Sequence, residues 1–328
     1  AIVRAAGAIV LGKTVTCEFA GIAPSVTTNP LNPAHTPGGS SSGSAAAVAD
    51  FMVPAAFGTQ TGGSVLRPAS FCGVVGFKPT FGTFNREGLK FANESIDTIG
   101  LLTRTVEDAA LLTDVLLGRA PVPLRLPPRR LRLGFCRTFM WNDKVEPATR
   151  AMIADTIAKA RKAGAEVVDF GLPSDFSRIN EARDIINNVE RARAMAWEWA
   201  HARSGLSPQL TATIEAGLAA DDADYRDALR FLESARAALD ERFAAVDALI
   251  TPVVNGEAPT GHSSTGDASL QGLWTALYTP SISLPAALGP NAMPIGVQLV
   301  APRWADRALL EMALWMQREA GIAQPPRD

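Results

Sequence analysis

Glycine and serine are concentrated at two places early in the chain, residues 38–44 and 58–64. Glycine lets backbone N–H groups approach a bound atom closely, because no Cβ stands in the way. A serine in such a loop can act as a nucleophile or as a proton relay. Flexible linkers share this composition, but here an apolar segment (45–56) separates the clusters and the strand-like CGVVGF (72–77) follows them. The pattern therefore predicts two catalytic loops with serine chemistry.

The string GAIVLGKT, residues 7–14, matches the phosphate-loop pattern of nucleotide hydrolases. A phosphate loop needs a strand before its first glycine and a glycine-rich interior. Here the interior residues are Ala, Ile, Val and Leu, which favour a strand. No later apolar strand ends in an Asp suited to bind Mg²⁺, so nucleotide hydrolysis is disfavoured.

The string GSSSG, residues 39–43, satisfies the G-x-S-x-G pattern of the α/β-hydrolase nucleophile elbow, with Ser41 at its centre. That elbow needs a strand–turn–helix setting, a histidine and an acid. The histidines of the chain, His35, His201 and His262, stand in polar or helical contexts without a paired motif. A Ser-His-Asp enzyme remains an alternative with little support.

Composition excludes several other classes of function. The 31 basic and 33 acidic residues leave a net charge of −2, so no basic surface predicts direct nucleic-acid binding. The apolar stretches 45–49 and 52–57 are too short to span a bilayer. Three cysteines, Cys17, Cys72 and Cys136, are an odd number without metal-binding spacing. We expect a cytoplasmic protein with reduced thiols, no metal and no cofactor.

The middle and end of the chain alternate helical and strand patterns, which predicts an α/β fold. Thr105 and Asp108 form a cap for a helix that runs through Leu117, and the proline-rich segment 119–130 is a connecting loop. Further strands are predicted at 131–136, 166–170, 248–252, 281–285 and 295–300, and helical regions at 146–164, 175–203, 222–245 and 306–321. In the last helix, Met312, Trp315 and Met316 are predicted to be core residues.

The segment GGSSSGSAAAV (38–48), followed by GTQTGGSVLRPASFCGVVGFKPTFG (58–82), resembles the signature of the amidase signature family of serine hydrolases. The likeness is dense over residues 7–118 and sparse over 119–245. Residues 246–328 resemble the C-terminal half of the family more loosely than residues 7–118 resemble its signature. The likeness implies an α/β fold whose mixed β-sheet is sandwiched between helices, with GAIVLGKT as a strand running into a turn. It also implies a single amidase domain over residues 1–328 that lacks an N-terminal segment.

The resemblance implies a Ser–cis-Ser–Lys triad. Ser64 is then the nucleophile, and Ser40, after a cis Gly39–Ser40 bond, is the proton relay. The family's lysine lies upstream of these loops, and Lys13 reads as a surface residue, so the chain is expected to be truncated and weakly active or inactive. The expected oxyanion-hole donors are the backbone N–H groups of Thr61, Gly62, Gly63 and Ser64, and Ser41 is expected to support Ser40.

Two residues distinguish this chain from the commonest family pattern. Gln60 stands where an acid is usual, and Arg67 stands three residues after Ser64, as in malonamidase-type amidases, whose arginine binds a substrate carboxylate. Gln60 and Arg67 are thus candidate substrate-binding residues. An alternative is that Arg67 braces the loop through backbone carbonyls.

The predicted function is hydrolysis of a small, carboxylate-bearing amide. One alternative is a glutamine-dependent amidotransferase component, which frees ammonia from glutamine for a partner working on tRNA. Another is an inactive pseudoamidase. The expected partners are a small-molecule amide and a second copy in a homodimer, with no membrane and no direct contact to nucleic acid.

Overall fold

Short runs rich in β-branched and other apolar residues form the strands of one sheet. The computed structural model describes residues 1–322, and its strands are β1 (Ala55–Gln60), β2 (Val75–Lys78), β3 (Thr98–Thr103), β4 (Arg132–Phe135), β5 (Glu166–Asp169), β6 (Ala248–Pro252), β7 (Ser281–Leu288) and β8 (Pro294–Val300). Their order is β1-β3-β2-β7-β8-β6-β4-β5. β4 runs parallel to β5 and β6, and the other neighbouring pairs are antiparallel. The sheet is therefore mixed, as the resemblance implied.

Helices cover both faces of this sheet. They are α1 (Ile2–Ala5), α2 (Ser42–Ala49), α3 (Leu66–Phe71), α4 (Val106–Leu116), α5 (Trp141–Lys144), α6 (Pro147–Lys162), α7 (Ile179–Ala194), α8 (Ala196–His201), α9 (Pro208–Ala219), α10 (Asp222–Phe243), α11 (Ser269–Ala276) and α12 (Asp306–Arg318). Ile250 of β6 packs with α4, α6 and α12, whereas its neighbour Leu249 packs with α7, α10 and α11. Successive strand residues point to opposite faces, so the two clusters lie on opposite sides of the sheet. α12 buries Met312, Trp315 and Met316, as predicted.

Most predicted elements are confirmed. The Thr105 hydroxyl caps α4 by accepting a hydrogen bond of 3.0 Å from the Asp108 N–H, and residues 119–130 contain no helix or strand. The segments predicted at 131–136, 146–164, 166–170, 222–245, 248–252, 281–285, 295–300 and 306–321 are β4, α6, β5, α10, β6, β7, β8 and α12. The helical region predicted at 175–203 is divided at Met195 into α7 and α8.

The strand predicted within GAIVLGKT is wrong. Residues 8–16 adopt no regular structure, and the Ile9 side chain is 92% exposed. A strand persists only when its N–H and C=O groups pair with a neighbour. Within residues 1–322 no strand lies beside this segment, so the segment does not form a strand in spite of its strand-forming composition.

A buried lysine joins the end of β2 to the loops beside it. The Lys78 amine donates to the carbonyls of Pro79 and Thr279. Nearby, the Asp306 carboxylate accepts from the N–H and the hydroxyl of Thr80, each over 2.7 Å. Burial lowers the pKa of Lys78 to about 7, and Asp306 opposes this to a smaller extent.

We expect Lys78→Met to reduce the rise of stability with pH above neutrality. The unfolded lysine keeps its proton up to a pKa of roughly 10.4, whereas folded Lys78 loses it at about 7. Between these values the unfolded chain binds the extra proton, so raising the pH stabilises the wild type by up to about 1.4 kcal/mol per pH unit. Urea unfolding at several pH values from about 7 to about 9.5 measures the effect. The control is Lys162→Met at an exposed site; a pH-independent difference between wild type and Lys78→Met would contradict the prediction.

Candidate active site

The turn that connects β1 to α3 carries Ser64. Ser64 is partly exposed, whereas its neighbours Gly63 and Val65 are buried. None of the backbone N–H groups of residues 61–64 donates a hydrogen bond to another group within residues 1–322. Consecutive free N–H groups make a concave surface that suits an anion. The turn therefore presents a serine hydroxyl beside donors that can stabilise a developing negative charge.

The second serine loop lies directly beside this turn. Its Gly39–Ser40 peptide bond is cis, as the resemblance implied, and Ser40 is buried. The Ser41 N–H donates to the Ser64 carbonyl over 3.2 Å, and the Cys17 N–H donates to the Ser40 carbonyl over 3.0 Å. The fold thus brings Ser40 and Ser64 to the contact between the loops. No hydrogen bond joins their hydroxyl groups in the part of the chain that the structure describes.

The serines that follow Ser40 bind the outer edge of β1. The Ser41 hydroxyl accepts from the Thr59 N–H over 3.3 Å, and the Ser44 hydroxyl donates to the Phe57 carbonyl over 2.7 Å. The Ser41 hydroxyl is thus paired with β1, and its N–H holds the Ser64 turn. Ser41 supports the loop contact rather than the Ser40 hydroxyl itself.

Arg67, on α3, is buried and binds protein groups on three sides. Its guanidinium donates to the Gly39 carbonyl over 2.6 Å, to the Thr265 hydroxyl over 3.1 Å and to the Gly266 carbonyl over 3.0 Å. Burial lowers the pKa of Arg67 to about 10, which leaves it charged at neutral pH. These contacts match the alternative in which Arg67 braces the loop through backbone carbonyls. The buried Nε atom of Arg67 has no partner within residues 1–322.

Asp97 tethers the start of the Ser64 turn. The Thr61 hydroxyl donates to one oxygen of Asp97. The other oxygen accepts from the N–H groups of Ala92 and Asn93, over 2.7 and 2.9 Å. Asp97 was absent from the predicted site. It lies in the segment SIDTIG (95–100), just before the first residue of β3. No local pattern shows that this carboxylate reaches Thr61, since the two residues meet only through the β1–β3 pairing.

Arg183, on α7, is a second arginine near the turn, and sequence reasoning missed it. Its Nε and one terminal nitrogen donate to Asp184. The other nitrogen, Nη1, is buried without a partner among the described residues, and a Cβ atom built on Gly62 would lie 3.5 Å from it. The adjacent Asn180 also has an unpartnered buried atom, Oδ1. A single arginine within a helical pattern carries no motif, so only the packing of α7 reveals this site.

Within residues 1–322 no lysine amine hydrogen-bonds to Ser40. Lys13 is exposed and donates to the neighbouring Thr14 carbonyl, and Lys78 is occupied by the carbonyls of Pro79 and Thr279. The other lysines with described polar contacts, Lys90, Lys144 and Lys159, pair with carboxylates. The described residues therefore offer two of the three side chains of the expected triad.

Of the other groups that the sequence singled out, Cys17 lies beside the first serine loop, with its sulfur 3.8 Å from the Ser42 hydroxyl oxygen. The His35 ring contacts the Ala258 carbonyl and the His201 ring contacts the Trp197 carbonyl. The three cysteines are buried and free. Among the described residues, no cluster of His, Cys, Asp and Glu is suited to hold a metal ion. No helix in the same range has the length and apolar character needed to cross a membrane.

Comparison with protein families gives a match to the family model described as Amidase, over residues 1–310. Among curated proteins, a component of the glutamyl-tRNA(Gln) amidotransferase of Synechococcus sp. (strain WH7803) is 33% identical, with 97% of this chain and 76% of that protein covered. Its namesake from Alkaliphilus metalliredigens (strain QYMF) is 32% identical, with 97% and 75% covered. The chain thus corresponds to about three-quarters of these relatives.

Solved structures give the same picture. A crystal structure of an amidase superimposes with a TM-score of 0.90 at 32% identity, covering 98% of this chain and 76% of that one. 6-Aminohexanoate cyclic dimer hydrolase, complexed with its substrate, superimposes with a TM-score of 0.85 at 26% identity, covering 99% and 78%. The α/β fold is therefore that of amidase structures.

We expect Gly63→Ala to lower the free energy of unfolding by about 1–3 kcal/mol, because the interior beside Gly63 is full. An added Cβ would overlap the Gln271 Oε1 atom and lie 2.8 Å from its Cδ, and Gln271 is buried and bound to the Val253 carbonyl. Gly62→Ala is the matched control, since its Cβ would meet its nearest atoms at 3.5 Å. Urea unfolding compares the two; equal stabilities would show that Gln271 yields freely.

Proposed function

The chain belongs to the amidase signature family of amide C–N hydrolases, and we propose that it is a serine-type amidase in which Ser64 is the nucleophile. The observation that carries this proposal is the row of free backbone N–H groups at residues 61–64, next to a partly exposed serine. Ser40 lies in the adjoining loop, close enough for its neighbour Ser41 to bind the Ser64 carbonyl.

The proposed reaction is acyl transfer through Ser64. The Ser64 oxygen attacks the amide carbon while its proton passes to Ser40, and the free N–H groups bind the oxyanion. The tetrahedral intermediate collapses by breaking the C–N bond, and the leaving nitrogen takes a proton and departs as ammonia or an amine. Water then attacks the acyl-enzyme and releases the acid. Each N–H donor of this kind contributes about 3–4 kcal/mol to the transition state.

The proton that Ser40 receives must pass to a base. In the family this base is a lysine, and no lysine contacts Ser40 within the described residues. Without a base, a formed oxyanion site leaves only a small part of the catalytic rate. We therefore expect slow amide turnover by this chain, and a covalent probe of the nucleophile is the sharper test.

We expect a fluorophosphonate to label Ser64 at alkaline pH. The probe forms a P–O bond with the Ser64 oxygen and loses fluoride, and the N–H groups of residues 61–64 hold the phosphoryl oxygen as they would an oxyanion. Peptide mass spectrometry should place the adduct on Ser64 in the wild type, and Ser64→Ala should remain unlabelled. Ser263→Ala, at an exposed serine outside the site, is the control.

An adduct on Ser41 instead would favour the nucleophile-elbow alternative. Absence of any adduct, together with no ammonia release from malonamate, glutamine or simple aliphatic and aromatic amides, would contradict the amidase proposal. A binding role, as in an inactive pseudoamidase, would then be the better account.

The position of Arg183 favours a substrate that carries a negative charge. Its free Nη1 atom lies beside Gly62, whereas the terminal nitrogens of Arg67 are bound to Gly39, Thr265 and Gly266. Arginine offers a planar pair of donors that matches a carboxylate. We therefore propose that Arg183, with Arg67 behind the loops, selects a small amide bearing an acid group.

We expect Arg183→Met to weaken the binding of malonamate by about tenfold or more, because a charge-assisted hydrogen bond contributes roughly 1.5–3 kcal/mol. Binding of malonamide, its neutral isostere, should change little. Isothermal titration with wild type, Arg183→Met and the exposed-site control Arg193→Met separates the charge effect from a change in the fold. If Arg67→Met, rather than Arg183→Met, removes the preference for malonamate, the carboxylate binds Arg67.

The names of the relatives favour a second candidate function. Several are components of glutamyl-tRNA(Gln) amidotransferase, so the same serines could release ammonia from glutamine for a partner protein. In that case the partner, and not this chain, would bind the tRNA. Ammonia release from glutamine alone, with copurification of partner proteins from the native source, would favour this candidate over a free-standing amidase.

A further inference from the structure

Gln60 is buried at the end of β1, and its side-chain amide is bonded at both ends. Its Oε1 atom accepts from the N–H groups of Val65 and Leu66, over 2.9 and 3.0 Å. Its Nε2 atom donates to the Thr275 hydroxyl over 2.9 Å. The side chain is 0% exposed, so no polar atom of Gln60 is left to meet a substrate.

Thr275, on α11, extends this connection to the other side of Ser64. Its hydroxyl lies 2.7 Å from the Gly62 carbonyl and 3.1 Å from the Gln271 carbonyl. A hydroxyl carries one hydrogen. Because Thr275 accepts from Gln60, that hydrogen is directed at a carbonyl, and the Gly62 carbonyl is the nearer one.

The Gly62 carbonyl and the Gly63 N–H belong to the same planar peptide unit. A hydrogen bond that holds the carbonyl therefore also sets the direction of the N–H. On the far side, the bonds from Gln60 to Val65 and Leu66 set the backbone that follows Ser64. One buried amide thus controls the peptide groups on both sides of the serine.

We propose that Gln60 is a positioning residue that, through Thr275, aims the oxyanion donors of the Ser64 turn. In this chain the bond to Thr275 needs an amide, since a carboxylate at the same place accepts from Val65 and Leu66 but cannot donate to Thr275. The Thr275 hydrogen would then turn to the carboxylate and release the Gly62 carbonyl. The catalytic consequence rests on the proposed amidase function, whereas the structural one does not.

The first measurement is amide hydrogen exchange, resolved to single residues, and needs no turnover. Gln60→Leu removes the acceptor of Val65 and Leu66, so both amides should exchange at least about tenfold faster. Gln60→Glu keeps that acceptor, so these amides should stay protected. If Gln60→Leu does not fold, the isosteric Gln60→Glu variant still tests the proposal, because it alters only the hydrogen bond from Gln60 to Thr275.

The second measurement is amide turnover. Gln60→Leu, Gln60→Glu and Thr275→Val should each lower kcat by roughly 10- to 100-fold with KM changed less than about twofold, because misaimed donors act on the transition state alone. The Gln60→Leu/Thr275→Val double variant should lose no more than the worse single variant, since both act through one connection. Thr275→Ser keeps the hydroxyl and should stay near the wild type.

Two results would overturn the proposal. One is unchanged exchange at Val65 and Leu66 in a folded Gln60→Leu variant. The other is a raised KM with unchanged kcat in Gln60→Glu, which would place Gln60 in contact with the substrate. If the wild type releases no ammonia from any amide and takes no fluorophosphonate adduct on Ser64, the proposed function fails, and the exchange measurement still decides the role of Gln60.

Discussion

The buried guanidinium of Arg67 is the interaction on which the site depends. Its terminal nitrogens bind Gly39 in the first serine loop and Thr265 and Gly266 in a loop about 200 residues later, while its backbone belongs to the helix that follows Ser64. A buried charge is tolerated only when such acceptors surround it. The same contacts that satisfy the cation therefore hold three distant segments in one arrangement, and the cis Gly39–Ser40 bond lies within that arrangement.

Close packing around the loops explains why they are rich in glycine. A Cβ atom on Gly39 would lie 2.7 Å from a Thr265 methyl carbon and 2.8 Å from the Cys17 sulfur, and one on Gly58 would lie 2.6 Å from the Ser41 hydroxyl. These approaches allow the backbone of one segment to reach the side chains of another. A composition that is typical of flexible linkers thus belongs here to a closely packed part of the molecule, because its glycines are contact points and Ser40, Ser41, Ser42 and Ser44 are buried.

An element can be predicted from the sequence when the interactions that form it join residues close together along the chain. The Thr105 cap acts within one helical turn, so residues 105–117 could be read from the sequence. The strand within GAIVLGKT failed because local composition says nothing about a pairing partner. Ser40 and Ser64 could be named because the resemblance supplied them. Arg183 and Thr275 could not, since each reaches the turn from more than 100 residues away along the chain, through packing that no short pattern records.

Some backbone N–H groups around Ser64 are hydrogen-bonded and others are not, and this contrast favours a catalytic role for the turn over a purely structural one. The chain satisfies the amides of Val65 and Leu66 with a dedicated buried side chain, yet leaves those of residues 61–64 free among the described residues. Gly63 is buried, whereas Thr61, Gly62 and Ser64 are partly exposed, and an unpaired buried donor costs about 1–3 kcal/mol. Several adjacent free donors, flanked by the positive charges of Arg67 and Arg183, form an environment that stabilises negative charge. In the reaction that we propose, the negative charge produced at that point is the tetrahedral oxyanion, which would join the donors and the Ser64 hydroxyl in one function.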